Sequence, residues 1–254
     1  MNLHKLILTN SACYKAGRTI NPKGIMVHST GANNPNLRRY VGPDGGLLGK
    51  NPNNNDWNQD RPGGRNVCVH AFIGRLMDGS IAAYQTLPWN YRGWHCGGSG
   101  NDTHIGFEIC EDGLTDTAYF GKVYTEAVEL CVYLCKLYGL TEKNVICHSE
   151  GFKLGIASNH SDVMHWFPRF GKSMDIFRED VRKDLAGIAA PVVFSVGDRV
   201  ILNGAVYADS YGGGKGRTFQ NKTCTVTRIV DLKRSCPYLL DALGWVTKDS
   251  IRKA

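Results

Sequence analysis

Two stretches, "HIGFEIC" at residues 104–110 and "YTEAVELCVYLCKLYGL" at residues 124–140, decide the fold class between them. The first is a short β-prone run interrupted by one acidic residue, Glu108. The second spaces its apolar residues at helical intervals and stops near Gly139, the residue type that closes helices in a left-handed conformation. Working outward, "GIMVHS" (24–29), "NVCVHAFIG" (66–74) and "SIAAYQTL" (80–87) read as further strands bounded by Gly, Pro and Asn clusters. "GKSMDIFREDVRKDLAG" (171–187) reads as a last amphipathic helix. Strands interleaved with helices predict an α/β domain with a mixed central β-sheet flanked by helices.

Beyond that helix, "IAAP" (188–191) has linker composition, and the pattern changes to the short β-type runs "DRVIL", "CTVTRIV" and "LGWV", separated by "GGGKGR" and "CPYL". The expected division is therefore a first domain over residues 1–185, a linker at 186–191 and a compact all-β module over 192–254. The chain has 254 residues, 42% hydrophobic and 21% charged, enough to bury a sizeable core. Its net charge of +7 favours an anionic partner. Residues 192–254 contribute ten Lys and Arg against five Asp, so most of that excess lies in the small module.

Nine cysteines without paired CxxC spacing argue against a disulfide scaffold and against a four-cysteine zinc site. Cys131 and Cys135 fall on one face of the expected helix, where thiols pack as small hydrophobes. "MNLHKLILTNSAC" at the start holds only a short apolar run, and no stretch approaches the ~20 apolar residues of a membrane span. Neither a signal peptide nor a membrane anchor is expected. No nucleic-acid-binding motif accompanies the basic charge, so nucleic acid is not an expected partner.

His28 and His148 share a placement, each following an apolar β-prone run ("IMV", "NVIC") and preceding a serine. Strand-end histidines can converge in a sheet protein, and a hydrolytic zinc site needs three protein ligands with one position open. His160 and Asp162, both in the loop after His148, are the candidates for the third ligand, and spacing leaves either open.

The set "MVHST" (26–30), "VHAFIGRLMDGSIAAYQTLP" (69–88), "GWHCG" (93–97), "HIGFEI" (104–109), "CHSEG" (147–151) and "SNHSD" (158–162) resembles the type 2 N-acetylmuramoyl-L-alanine amidases, which are similar to peptidoglycan recognition proteins and to short phage lysozymes with amidase activity. The resemblance covers roughly residues 20–182, with the motifs in the family's order. It implies a zinc enzyme with His28, His148 and Asp162 as ligands. Cys147 and Glu150 stand where the family often has Gly and Asp, and His160 stands where it usually has Lys or Thr. The resemblance gives His160 the support of the developing oxyanion and Glu108 the proton shuttle. It also places His95 and Trp94 in the substrate groove. His70 reads as a structural residue of a core strand.

"SVGDRVIL" (195–202) and "LGWVTKDSI" (243–251) in the basic module resemble a bacterial SH3-type cell-wall-binding domain. The whole then implies a peptidoglycan hydrolase of endolysin or autolysin type, made in the bacterial cytoplasm and acting on the wall after release. It would cut between the lactyl group of N-acetylmuramic acid and the L-alanine of the stem peptide. Bacterial peptidoglycan is the expected partner, with anionic wall polymers bound through the basic module. A non-catalytic peptidoglycan-binding protein and a stem-peptide endopeptidase are the alternatives; chelation and product analysis separate them.

Overall fold

The computed structural model describes residues 1–42, 46–187, 194–232 and 234–254. It divides into two compact units, Met1–Ile188 and Ala189–Ala254. The expected linker at 186–191 lies outside the described residues from 188 onward.

The first unit opens with β1 (Leu3–Lys5) and a short helix α1 (Ala12–Ala16), followed by β2 (Gly24–Asn33), β3 (Ala71–Arg75), β4 (Ile81–Gln85) and β5 (His104–Glu111). Then come α2 (Thr117–Tyr138), β6 (Val145–Cys147), α3 (His148–Lys153) and α4 (Met174–Leu185). The six strands form one sheet in the order β1-β4-β3-β5-β2-β6. Only β3 and β4 pair antiparallel, and the other four pairings are parallel, so the sheet is mixed, as the interleaving predicts. Asp78-Gly79 turns the β3–β4 hairpin: Gly79 takes φ +86° and Asp78 Oδ1 accepts from the Ser80 N–H at 2.9 Å.

Alternation along the strands divides the sheet into two faces. Ile25, Val27, Ile105, Phe107 and Ile109 pack with α2 and α4, through residues such as Phe120, Leu130, Cys131 and Phe177, into the main core. The other face carries a second cluster of Leu37, Tyr40, Leu48, Phe72, Tyr84 and Cys110. Of the titratable side chains described below, His28 and Glu108 point to that second face.

Helix α2 begins well before the stretch read from the sequence, because Asp116 caps it by accepting from the Tyr119 N–H at 2.9 Å. It ends as expected, with Gly139 at φ 64° donating to the Cys135 carbonyl. The run 66–74 pairs less than expected, since β3 starts only at Ala71 and Cys68 upstream makes an isolated bridge with Trp94. That bridge holds the segment around Trp94 and His95 against the sheet. All nine cysteines are free, and eight of them are buried.

In the second unit β7 (Arg199–Tyr207), β8 (Lys215–Ile229), β9 (Tyr238–Leu240), β10 (Gly244–Val246) and β11 (Ile251–Lys253) form an antiparallel sheet in the order β10-β9-β8-β7-β11. A further β10–β7 pairing, with Trp245 opposite Tyr207, closes it into a small barrel. Its interior holds Phe194, Val200, Leu202, Val226, Tyr238, Leu240 and Val246. Among the described residues no helix is long and apolar enough to cross a membrane.

Candidate active site

His28 stands on β2 directly opposite Glu108 on β5. In a parallel pair such partners share a face, so the register alone brings an imidazole beside a carboxyl group. His148 arrives from the other neighbour of β2, since β6 pairs with β2 through Cys147 and His148 opens α3. Glu150 closes this turn by accepting from the Cys147 N–H at 3.1 Å, and the Arg178 guanidinium of α4 grips both Glu150 oxygens at 3.0 Å. The glutamate that departs from the common motif thus orients the strand-to-helix turn that presents His148. The loop after α3 brings in Asp162, whose carbonyl accepts from the Ser149 N–H at 3.2 Å.

These three residues form the one group of potential metal ligands found among the described residues. His28 Nδ1 lies 3.0 Å from Asp162 Oδ2, His148 Nδ1 lies 3.5 Å from that same oxygen, and the two Nδ1 atoms are 3.1 Å apart. A tetrahedral ion holding nitrogen and oxygen ligands at about 2.0–2.1 Å sets them about 3.4 Å apart. The triangle matches that size.

The outer nitrogens decide what this triangle presents. His95 Nε2 is 3.1 Å from the His104 carbonyl, an acceptor only, so this nitrogen carries a hydrogen. Burial, then neighbouring His28 and His70, push His95 well below the ordinary histidine range, so the ring is neutral and its Nδ1 is a lone pair. That lone pair lies 3.0 Å from His28 Nε2, which must donate to it. Ser158 gives its hydroxyl hydrogen to the Cys96 carbonyl at 3.1 Å and accepts from His148 Nε2 at 3.3 Å. Both ligand histidines therefore carry their hydrogen on Nε2 and aim bare Nδ1 lone pairs at a carboxylate oxygen. Three converging electron pairs call for a cation between them, and the donor set of two imidazoles and one carboxylate suits zinc.

Electrostatics agree with this arrangement. Burial lowers the His28 pKa despite the adjoining Asp162, which keeps the imidazole neutral. Burial works to raise the Asp162 pKa, and what holds the carboxyl below the usual range is donor or positive character on the His148 and His28 side, which with both Nδ1 atoms bare is the place a bound cation would take. Glu108 goes the other way: burial, with Asp162 and Glu111 nearby, raises its pKa well above the ordinary carboxylate value. Its Oε2 is buried and has no hydrogen-bond partner in the protein. A carboxyl poised to hold or release a proton therefore faces the site.

His160 is exposed and stacks on the His148 ring, with centroids 4.8 Å apart. The structure thus groups Asp162, not His160, with the two histidines, and leaves His160 at the rim. Trp94 is exposed beneath the Arg92 guanidinium, 5.0 Å from the ring centre. His95, expected in the groove, spends both nitrogens on His28 and the His104 carbonyl, so any substrate contact would be through the ring alone. His70 is fully buried: it accepts from the Gly106 N–H at 3.1 Å and donates to the Tyr91 carbonyl at 2.7 Å, which is a structural role.

The N-acetylmuramoyl-L-alanine amidase family model matches residues 18–165, more than half of the chain and every residue of the triangle. The chain belongs to that family. A relative among amidases of known name is XlyA of Bacillus subtilis (strain 168), an N-acetylmuramoyl-L-alanine amidase, 41% identical over 68 residues. That match spans 26% of this chain and 22% of the relative's length. Among solved structures, a point mutant of PlyL is 22% identical with a TM-score of 0.50, covering 71% of this chain and 98% of that one. The Staphylococcus aureus hydrolase AmiA in complex with its ligand is 20% identical with a TM-score of 0.51, covering 75% and 87%. At these identities the structural likeness concerns the fold alone.

Sequence reasoning missed Ser158 and the pairing of His95 with His28. One signal was available: Gly106 sits inside a strand between Ile105 and Phe107, the position where a close approach is expected. A Cβ there would lie 2.4 Å from the His95 ring.

Proposed function

We propose that this chain is a zinc-dependent peptidoglycan amidase of endolysin type that hydrolyses the bond between the lactyl group of N-acetylmuramic acid and the L-alanine of the stem peptide. The observation that carries this reading is the convergence of His28 Nδ1, His148 Nδ1 and Asp162 Oδ2 with both Nε2 hydrogens tied back. Family membership supports the substrate class. His28, His148 and Asp162 would hold the zinc, which when bound would supply Lewis-acid chemistry at the scissile carbonyl and lower the pKa of water there.

The chain's own groups do the rest. Glu108, facing His28 across the strand pair, takes the proton of the attacking water and returns it to the alanine nitrogen as that bond breaks. Its raised proton affinity suits the second half of that cycle, in which it is an acid. His160, at the rim beside His148, donates to the carbonyl oxygen as negative charge builds on it. Trp94 offers an exposed aromatic face to the substrate. The module of residues 192–254 serves as an SH3-type wall-binding domain, its excess of basic residues facing anionic wall polymer and raising the local concentration of substrate.

Mass spectrometry of digested sacculi tests the assignment. Free lactyl groups and new L-alanine amino termini, lost on chelation and restored by zinc, are the expected result. Products that keep the lactyl-alanine bond overturn it. Wall adhesion that survives removal of residues 192–254 overturns the role of the module.

A further inference from the structure

We propose that His95 is a positioning residue, which sets the tautomer and ring angle of His28 and thereby makes His28 competent to bind metal. The inference rests on the metal reading above. His28 has two ring nitrogens and, when neutral, one hydrogen. With the hydrogen on Nε2, the Nδ1 lone pair faces Asp162 and His148; with the hydrogen on Nδ1, that nitrogen cannot be a ligand. The choice is made 3.0 Å away, where His28 Nε2 meets His95 Nδ1. Were His95 protonated at Nδ1, His28 Nε2 would have to accept and its hydrogen would move into the metal position. The His104 carbonyl, 3.1 Å from His95 Nε2, takes a hydrogen and has none to give, so a neutral His95 carries its hydrogen on Nε2 and leaves Nδ1 to accept.

The seat of the His95 ring is built for this contact. The Gly106 and Gly93 backbones leave room for it, since added Cβ atoms would lie 2.4 Å and 3.0 Å from the ring. The His95 N–H donates at 2.8 Å to Oδ1 of Asn101, which is wholly buried. The imidazole stands edge-on to His28, at 72° between planes. The second ligand histidine is served by the same segment, because the Ser158 relay from His148 ends on the Cys96 carbonyl. Residues 95–104 thus act as one template for both metal histidines. Partners of metal ligands of this kind typically govern about 10–100-fold in metal affinity.

The test compares wild type, His95→Leu and His95→Asn by zinc competition against a chromophoric chelator, with the visible spectrum of the cobalt-loaded protein as a second readout. Leucine cannot accept from His28, and zinc affinity is expected to fall about 10–100-fold with an altered cobalt spectrum. Asparagine places Oδ1 where His95 Nδ1 was, so it should return affinity to within a few-fold of wild type. Wild-type affinity and spectrum in His95→Leu, with only KM for wall fragments raised, would make His95 a substrate contact and overturn the proposal. Should His95→Leu not fold, long-range proton–nitrogen correlation spectra of the wild type decide: His28 and His95 both carrying hydrogen on Nε2 is expected, and hydrogen on Nδ1 of His95 overturns the proposal. A wild type that binds no zinc would instead overturn the metal reading, a result distinct from a zinc-binding wild type matched by an unaltered His95→Leu.

Discussion

Strands β2 and β5 lie side by side, yet their two faces obey different rules. On the helix-covered face, Ile25, Val27, Ile105, Phe107 and Ile109 are wholly buried among other apolar groups. On the opposite face of those same strands stand His28, Gly106 and Glu108, where both His28 nitrogens have named partners and Glu108 Oε2 lacks one. On the apolar face free energy accumulates roughly in proportion to area removed from water, and any residue of suitable size serves. On the polar face energy depends on donors matching acceptors, and a single change of hydrogen position alters what the site can bind. Successive residues of one strand can therefore be separated into those that hold the fold and those that act.

The largest expected effect breaks the pattern at neighbouring positions. His28→Ala should abolish zinc loading and wall digestion together, with Asp162→Ala behaving the same, as read by metal content and amine release. Val27→Ala next door should keep zinc stoichiometry while lowering the melting temperature. Phe107→Ala should cost about 3–5 kcal/mol of stability in denaturant unfolding, since it opens a cavity in the helix-covered core. Its neighbour Glu108→Gln should unfold like wild type and retain zinc, yet lose ~100-fold or more in turnover, which is about 2.7 kcal/mol of barrier. Full activity in Glu108→Gln would reassign the proton shuttle.

A pH experiment sharpens the comparison at a buried histidine outside the triangle. Burial lowers His70 to about 4. The unfolded chain binds its proton near pH 6.5 and the folded chain does not, so between these values the unfolded state holds more protons and stability falls as pH falls. The loss amounts to roughly 3 kcal/mol across the window, is complete near pH 4, and should shrink in His70→Asn when urea midpoints of the metal-free proteins are compared. The smallest effect is expected for Ile109→Val, about 0.5–1.5 kcal/mol with unchanged turnover.

Much of the fold was legible because alternation and helical spacing are local signals. The helix ending at Gly139, the strand carrying His28 and the change of pattern into the C-terminal barrel all follow from neighbours in sequence. The start of α2 was less so, since it depends on one capping contact from Asp116, and β3 begins late because Cys68 is drawn to Trp94. His28, His148 and Asp162 could be picked out by residue type, placement and family resemblance. Between His160 and Asp162, however, spacing had no preference, and the distances separate them: Asp162 Oδ2 reaches both histidines, while the His160 ring lies against one.

The sequence by itself determined which residues are apolar at strand and helix periods, where turns fall, and which side chains can carry a metal or a proton. Only the tertiary structure decided which nitrogen of each histidine is free. That choice belongs to no residue alone: His28 takes its tautomer from His95, 67 positions away, and His95 takes its own from the His104 carbonyl. A hydrogen-bond direction is settled by the last group in the chain that can only accept, and sheet register brings that group within reach.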